Sequence, residues 1–323
     1  MHPMLATAGA ALIAGLAVAG PAAAQGFPDG QDIRLIVPFP PGGPTDTTAR
    51  LIADQMRQNL GVTIIVDNVP GAGGTIGVTE MTLAEPDGHT IAIVGSGAVT
   101  LSPFTMPDLP WGPENLTPII HVVDIPLLMT VPAGFEAQTF GDFVNLVTAH
   151  PGDFNYGSDG QGSLTHMSME WLKSLTGMDL VHIPFRGTAD IMQAMLSDTI
   201  QTSQSGILGP LPLVQSGELT AIAITSAERS PVLPNVPTVR ELGFDDFVVT
   251  AWFAFFAPEG TPAEIVDALN ASITAAMENP DVSSAISGFG FTPLTSTPGE
   301  LSQTVDFYLD RWGSLIEGGL QVN

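Results

Sequence analysis

Apolar and polar positions follow two patterns along this chain, and each change of pattern marks a predicted element. Residues 33–39 form a short, mostly apolar run, whereas apolar residues recur every three or four positions over 45–60. The first pattern is typical of a buried strand and the second of an amphipathic helix. The two patterns alternate over most of the chain, which predicts an α/β fold.

The predicted elements share clear turn signals at their ends. The strands are expected at 33–39, 62–68, 89–95, 154–158, 180–185, 199–204 and 219–225. The helices are expected at 45–60, 74–84, 139–150, 163–176, 188–197, 261–279 and 298–316. Thr261, Pro262 and Glu264 predict a helix start, with Thr261 as the N-cap. Because strands and helices alternate, each half of the chain is expected to form a mainly parallel sheet flanked by helices.

Two strand-to-helix turns, at 39–46 and 158–166, are rich in glycine and hydroxyl residues. Small residues leave N–H and hydroxyl groups pointing at one spot from a helix N-terminus, which binds an anion without a basic side chain. The candidate ligand-binding residues in these turns are Phe39, Gly42, Gly43, Thr45, Asp46, Ser158, Gly160, Ser163 and His166. Ser163 and His166 also have structural alternatives, as a helix cap and as a loop-closing histidine.

Three further candidate ligand contacts lie at or near the ends of predicted strands. They are Ser96, Arg186 and Ser205. Arg186 stands out because the chain has only eight basic side chains, and an arginine at a strand end can contact an anion. A salt bridge to Asp190 on the following helix is the alternative.

The composition excludes several classes of protein. The 323 residues suggest about two domains. The formal net charge is −25, and so acidic a surface repels nucleic-acid phosphates, so no nucleic-acid partner is expected. A saline habitat would also account for this acidity. The chain has no cysteine, which excludes disulfides, thiolate zinc sites and a cysteine nucleophile.

The N-terminus has the pattern of a signal peptide. Residues 5–20 are apolar, and Ala22-x-Ala24 fits a signal-peptidase site, so the mature chain is expected to begin near Gln25 in the periplasm. The apolar run is shorter than the roughly 20 residues of a membrane span. An uncleaved membrane anchor is the alternative.

No motif in the sequence supports catalysis, a metal or a cofactor. The loop at 71–77 follows a strand, but Ile76 stands where the third glycine of a dinucleotide site would be. The chain contains no Gly-x-Ser-x-Gly motif, and its six histidines lack metal-ligand spacing. We therefore expect a binding protein that needs no cofactor.

Blocks of sequence along the chain resemble the solute receptors of tripartite tricarboxylate transporters, the Bug family. In chain order, the blocks that carry the resemblance are 36–39 (IVPF), 42–50 (GGPTDTTAR), 66–74 (VDNVPGAGG), 87–90 (DGHT), 156–166 (YGSDGQGSLTH), 181–187 (VHIPFRG), 234–238 (PNVPT) and 252–262 (WFAFFAPEGTP). Together they cover essentially the whole mature chain.

The resemblance implies a two-domain periplasmic binding protein of the type II, Venus-flytrap kind. It implies a signal peptide at 1–24, one lobe formed by 25–124 plus 248–323, and an inserted second lobe at 125–247, hinged near 123–126 and 247–252. The two glycine-bearing loops would bind a di- or tricarboxylate, or a related organic acid, partly through ordered waters. A monomeric receptor would then deliver this acid to the membrane permease subunits of a tripartite transporter.

Two departures from the family pattern concern the identity of the ligand. Phe185 stands where members usually carry tyrosine, and residues 201–205 (QTSQS) are more polar than the family's strand. Two other classes of function remain open at this point: a secreted enzyme acting on a carboxylate, and a sensory module that presents its ligand to a membrane kinase.

Overall fold

The computed structural model of the chain describes residues 26–320. The predicted signal peptide at 1–24 lies outside the described residues and stays a prediction. Within the described range, no helix is long and apolar enough to cross a membrane.

The elements follow the predicted alternation closely. The strands are β1 Ile33–Val37, β2 Ile64–Asn68, β3 Thr90–Gly95, β4 Leu116–Pro132, β5 Phe154–Ser158, β6 Leu180–Pro184, β7 Thr202–Gly206, β8 Leu219–Ile224, β9 Thr250–Pro258 and β10 Thr292–Pro293. The helices are α1 Pro44–Leu60, α2 Thr75–Thr82, α3 Ser96–Thr100, α4 Ser102–Thr105, α5 Phe140–Ala149, α6 Leu164–Thr176, α7 Thr188–Leu196, α8 Leu211–Ser216, α9 Ala263–Met277, α10 Pro280–Gly288 and α11 Pro298–Glu317.

One long strand, β4, joins two groups of strands into a continuous sheet. The order is β2-β1-β3-β9-β4-β7-β5-β6, with β8 and β10 also paired to β4. As far as Pro126, β4 pairs with β9, and from Leu127 onward it pairs with β7 and β8. The sheet therefore has a first half around β1, β3 and β9 and a second half around β5, β7 and β8, and the chain crosses between them at β4 and at the start of β9.

The sheet is mixed, where the sequence predicted a mainly parallel one. The outer pairs β1–β2, β1–β3, β5–β6 and β5–β7 are parallel. Every pair that includes β4 or β9 is antiparallel. The reason is that β4 and β9 carry the chain across the molecule in opposite directions, so they pair antiparallel with each other. The two-domain α/β architecture itself is as expected.

Several element boundaries differ from their predictions, and two of these shifts have a local cause. Thr199 and Ile200 do not begin β7, because both of their N–H groups bond to the carbonyl of Ala194 and close the end of α7. Thr261 does not cap α9, since its hydroxyl donates to the Pro258 carbonyl and Pro262 occupies the N-cap position.

The two crossing segments are tied together at one buried threonine. Thr225 Oγ1 accepts a hydrogen bond from the Leu127 N–H at 3.0 Å and lies 2.5 Å from the carbonyl oxygen of Val249, to which it can donate. Thr225 is fully buried. These contacts lie at the predicted hinge, and the lobe boundaries at 124–125 and 247–248 stay a prediction.

Candidate functional site

Of the helices that begin at the carboxyl ends of parallel strands, three define the candidate site. α1 follows β1, α6 follows β5 and α7 follows β6. Ligands of open α/β sheets bind at this edge, where helix N-termini present unpaired N–H groups. Ser163 caps α6, whereas Gly43 and Gly187, the N-caps of α1 and α7, supply no side-chain hydrogen bond. The starts of α1 and α7 therefore remain open to a ligand.

A cavity of about 480 Å³ lies between the two halves of the sheet, at these helix starts. Its volume is in the range of small-molecule sites. The residues that line it are Phe39, Pro44, Thr45, Ile125, Leu127, Asp159, Leu164, Thr165, Thr188, Gly206, Leu208, Gly209, Ala251, Phe253 and Phe291. The lining thus comes from both halves and from the crossing strands β4 and β9.

Asp159 is the charged residue of this lining, as far as the structure describes the chain. Its Oδ1 accepts a hydrogen bond from the Thr188 hydroxyl at 3.2 Å, and its Oδ2 accepts one from the Thr165 hydroxyl at 3.3 Å. Burial raises the pKa of the Asp159 carboxyl above its ordinary value, although both hydrogen bonds act in the opposite direction. Asp159 was not among the predicted site residues.

The first predicted loop is organised around Asp46, which is buried beneath it. The Gly42 N–H donates to Asp46 Oδ2 at 2.8 Å, Asn68 Nδ2 donates to Oδ1 at 2.9 Å, and Arg50 Nε donates to both oxygens at 3.0 Å. Burial disfavours the charged form, but these hydrogen bonds and the charge of Arg50 outweigh it and hold the pKa of Asp46 below its usual range. Asp46 thus holds the loop, while Phe39 and Thr45 face the cavity.

The second predicted loop is closed by its own side chains. Ser158 is fully buried; its Oγ donates to the Gly160 carbonyl at 3.0 Å and lies 2.6 Å from His182 Nε2. Ser163 Oγ accepts from the N–H of His166 at 3.3 Å, and Nδ1 of His166 accepts from the Gly162 N–H at 3.0 Å. Both structural alternatives for Ser163 and His166 are therefore present, and ligand contact by these residues stays a prediction.

Behind this loop, three rings form a stack that the sequence did not reveal. The ring centroids of His166 and His182 are 4.0 Å apart, and those of His182 and Tyr156 are 4.9 Å apart. Burial, together with the neighbouring His166, lowers the pKa of His182 to about 4. His182 is therefore neutral at pH 7. The Ser158–His182 contact resembles part of a catalytic triad, but Ser158 has no exposed surface through which to reach a substrate.

The remaining candidates lie apart from the cavity lining. Ser96 Oγ accepts a hydrogen bond from the Trp252 N–H at 3.3 Å. Ser205 is buried on β7 and donates to Ser203 at 3.3 Å. Arg186 is exposed at the end of β6, and no ion pair joins it to Asp190 in the described part of the chain. Their roles as ligand contacts stay predictions.

Sequence reasoning missed most of the cavity lining. Asp159 and Thr188 could have been found from their positions, since each follows the end of a parallel strand where ligands bind. The apolar residues on β4 and β9, such as Ile125 and Phe253, carry no such signal, because an apolar residue beside a cavity has the same sequence pattern as one in the core.

The chain matches a known family over most of its length. The family described as "Tripartite tricarboxylate transporter family receptor" matches residues 48–319. Protein BugT of Bordetella pertussis is 32% identical over 306 residues, which are 94% of this chain and 94% of that protein. A Cupriavidus necator protein named from its position in the gbd 5′ region is 35% identical over 312 residues, 95% of this chain and 94% of that one.

Solved structures give the same result. The periplasmic binding protein BugD is similar with a TM-score of 0.78 and 31% identity, over 90% of this chain and 98% of that one. MatC from Rhodopseudomonas palustris, solved with bound malate, has a TM-score of 0.77 and 34% identity, over 88% of this chain and 98% of that one. An R. palustris protein solved with adipate has a TM-score of 0.80 and 28% identity, over 88% and 96%.

Proposed function

Because the chain belongs to the tripartite tricarboxylate transporter receptor family, we propose that it binds one small organic acid in the cavity between its two lobes and delivers it to membrane permease subunits. Like its relatives, it is a periplasmic solute-binding receptor and not an enzyme. Two relatives were solved with the carboxylates malate and adipate, which supports an organic acid as the ligand here.

The observation that carries this proposal is the position of the cavity. It lies where α1 begins without a side-chain cap, so the free N–H groups at this helix start can bind a carboxylate in place of basic side chains. Thr45 adds a hydroxyl from the first half of the sheet, and the second half contributes Asp159 with the Thr188 hydroxyl that donates to it. A ligand held from both sides stabilises a closed arrangement of the lobes.

The lobes of the proposal are residues 25–124 plus 248–323 and residues 125–247. The change of partners of β4 after Pro126 and the start of β9 at Thr250 lie close to these boundaries and support them. Two chain crossings permit a hinge motion, as in other two-domain binding proteins. Export through residues 1–24 and delivery to a permease complete the proposal.

A thermal-shift screen tests the ligand class. Purified mature protein is melted with mono-, di- and tricarboxylates, with neutral analogues of matched shape as controls. A ligand that binds only the folded state adds about 2.7 kcal/mol of stability at 100 times its Kd, so a bound acid should raise the melting temperature by several degrees. Unchanged melting with every acid, or shifts with the neutral analogues alone, would contradict the proposal.

A further inference from the structure

The carboxylate of Asp159 has capacity for another donor on the cavity side. A carboxylate offers about four lone-pair positions, and two threonine hydroxyls occupy one on each oxygen. No lysine, arginine or histidine forms an ion pair with Asp159 within residues 26–320. Within residues 26–320, the carboxylate thus accepts side-chain hydrogen bonds from two neutral hydroxyl groups and has no cationic partner.

The rest of the cavity lining makes an unpaired charge costly. Its large members are apolar: Phe39, Ile125, Leu127, Leu164, Leu208, Phe253 and Phe291. A charge in such surroundings is destabilised unless a partner of opposite charge is present, and the raised pKa of Asp159 reflects this cost. A positively charged group on the ligand would offset it. A dicarboxylate would instead place one of its two anionic groups close to the carboxylate of Asp159.

The two ends of the cavity differ in how their carboxylates are paired: Asp46, in the first turn of α1, forms an ion pair with Arg50, whereas Asp159 has none within residues 26–320. Asp159 lies at the starts of α6 and α7, where its own N–H donates to Thr165 Oγ1 at 2.9 Å and its side chain bonds to Thr188. Its negative charge already complements these two helix N-termini. The start of α1, with Gly43 as an uncapped N-cap and Thr45 in the lining, remains for an anion.

We propose that the ligand is a zwitterionic amino acid with an apolar side chain, whose ammonium group binds Asp159 and whose carboxylate binds the N-terminus of α1. The apolar side chain packs against the apolar part of the lining. The ligand thereby joins the second half of the sheet to the first. This inference rests on the proposed function, because it concerns the ligand of the same cavity.

The first test compares ligands that differ only in the amino group. Leucine is titrated by calorimetry against 4-methylpentanoate, and phenylalanine against 3-phenylpropanoate, with malate and adipate as dicarboxylate references. Each amino acid is expected to bind at least about tenfold more tightly than its partner, as for one hydrogen bond between charged groups. Because these titrations use the unmodified protein, they do not depend on the folding of a variant.

The second test compares three variants. Asp159→Asn keeps the shape of the side chain and should weaken leucine binding about ten- to a hundredfold. Asp267→Asn, on the exposed face of α9, is the matched control and should leave the affinity for leucine unchanged. Thr45→Val should weaken leucine and 4-methylpentanoate alike. Since burial raises the pKa of Asp159, the Asn variant loses a destabilising charge and should melt no lower than the unmodified protein at pH 7.

The possible results separate the two proposals. Preference for the amino acids, lost in Asp159→Asn alone, supports the inference. Equal binding of the matched pairs, or tighter binding of malate or adipate, overturns the inference and leaves the receptor proposal standing. If no amino acid and no organic acid binds, the proposed function fails and the inference fails with it.

Discussion

Asp46 and Asp159 follow equivalent strands in the two halves of the molecule, yet their surroundings give them opposite properties. Asp46 is held by an arginine, an amide side chain and a backbone N–H, and its pKa lies below the ordinary value. Asp159 accepts hydrogen bonds from two threonine hydroxyls, and burial raises its pKa. The first carboxylate stabilises its loop, whereas the second is left for a ligand.

Replacing Asp46 should therefore be costly. Asp46→Ala removes the acceptor of Gly42, Arg50 and Asn68 and is expected to lower the free energy of unfolding by about 2 kcal/mol at pH 7. Because the folded-state pKa of Asp46 is lowered, its contribution is present above the ordinary aspartate pKa and is lost as the pH falls through the folded value. Urea unfolding at pH 7 measures the cost. The control is Asp267→Ala on the exposed face of α9, and an equal loss there would contradict this role.

His182 should make the protein less stable in mild acid. Its pKa is lowered from 6.5 to about 4, because burial and the adjacent His166 disfavour the charged ring. As the pH falls, the unfolded chain takes up a proton on this residue before the folded chain does. The stability that the neutral ring contributes is therefore present above pH 6.5 and is lost as the pH falls towards 4. Urea midpoints measured from pH 7 to pH 4.5 should fall less steeply for His182→Gln than for the exposed control His150→Gln. Parallel profiles would count against a neutral His182 ring in the folded protein.

At the scale of elements, local sequence signals predicted most of the fold. β5 begins and ends at its predicted residues, and α6 begins one residue after its predicted start because Ser163 is the cap. β4 was largely missed, because Pro118 and Pro126 interrupt its apolar pattern and bulges interrupt its pairing. The cavity could not be predicted either, because it depends on the pairing of β4 with β9, which are more than 100 residues apart in the sequence.

The cap of α6 gives a prediction at this scale. Ser163→Ala removes the acceptor of the His166 N–H and should lower the free energy of unfolding by about 1 kcal/mol. Ser163→Asp, which can also cap, should restore stability to near the original value. Chemical denaturation of both variants provides the measurement. A loss of stability in the aspartate variant as large as in the alanine variant would show that capping is not the main role of this hydroxyl.

At the scale of the whole molecule, the two proposed lobes, which two crossing segments join, should move relative to each other on binding. Thr225 ties the crossing segments together. Away from the hinge, the two halves lie close together at Gly162 and Thr105, where a Cβ atom added to Gly162 would lie 3.0 Å from the Thr105 side chain. The radius of gyration from X-ray scattering should therefore decrease with saturating ligand, as in hinge closure around ligands. Identical scattering curves with and without a ligand that binds by calorimetry would contradict a hinge at these segments.

The most direct test of the central claim is to fill the cavity and measure binding. Leu208→Trp replaces a lining side chain with a bulky indole ring, whereas Leu196→Trp adds the same ring at an exposed site on α7. Each variant is titrated calorimetrically with whichever of leucine, 4-methylpentanoate, malate and adipate binds the unmodified protein most tightly. Binding of one molecule per chain should be lost in Leu208→Trp and retained in Leu196→Trp. Full affinity in a folded Leu208→Trp variant would place the ligand elsewhere and contradict the claim.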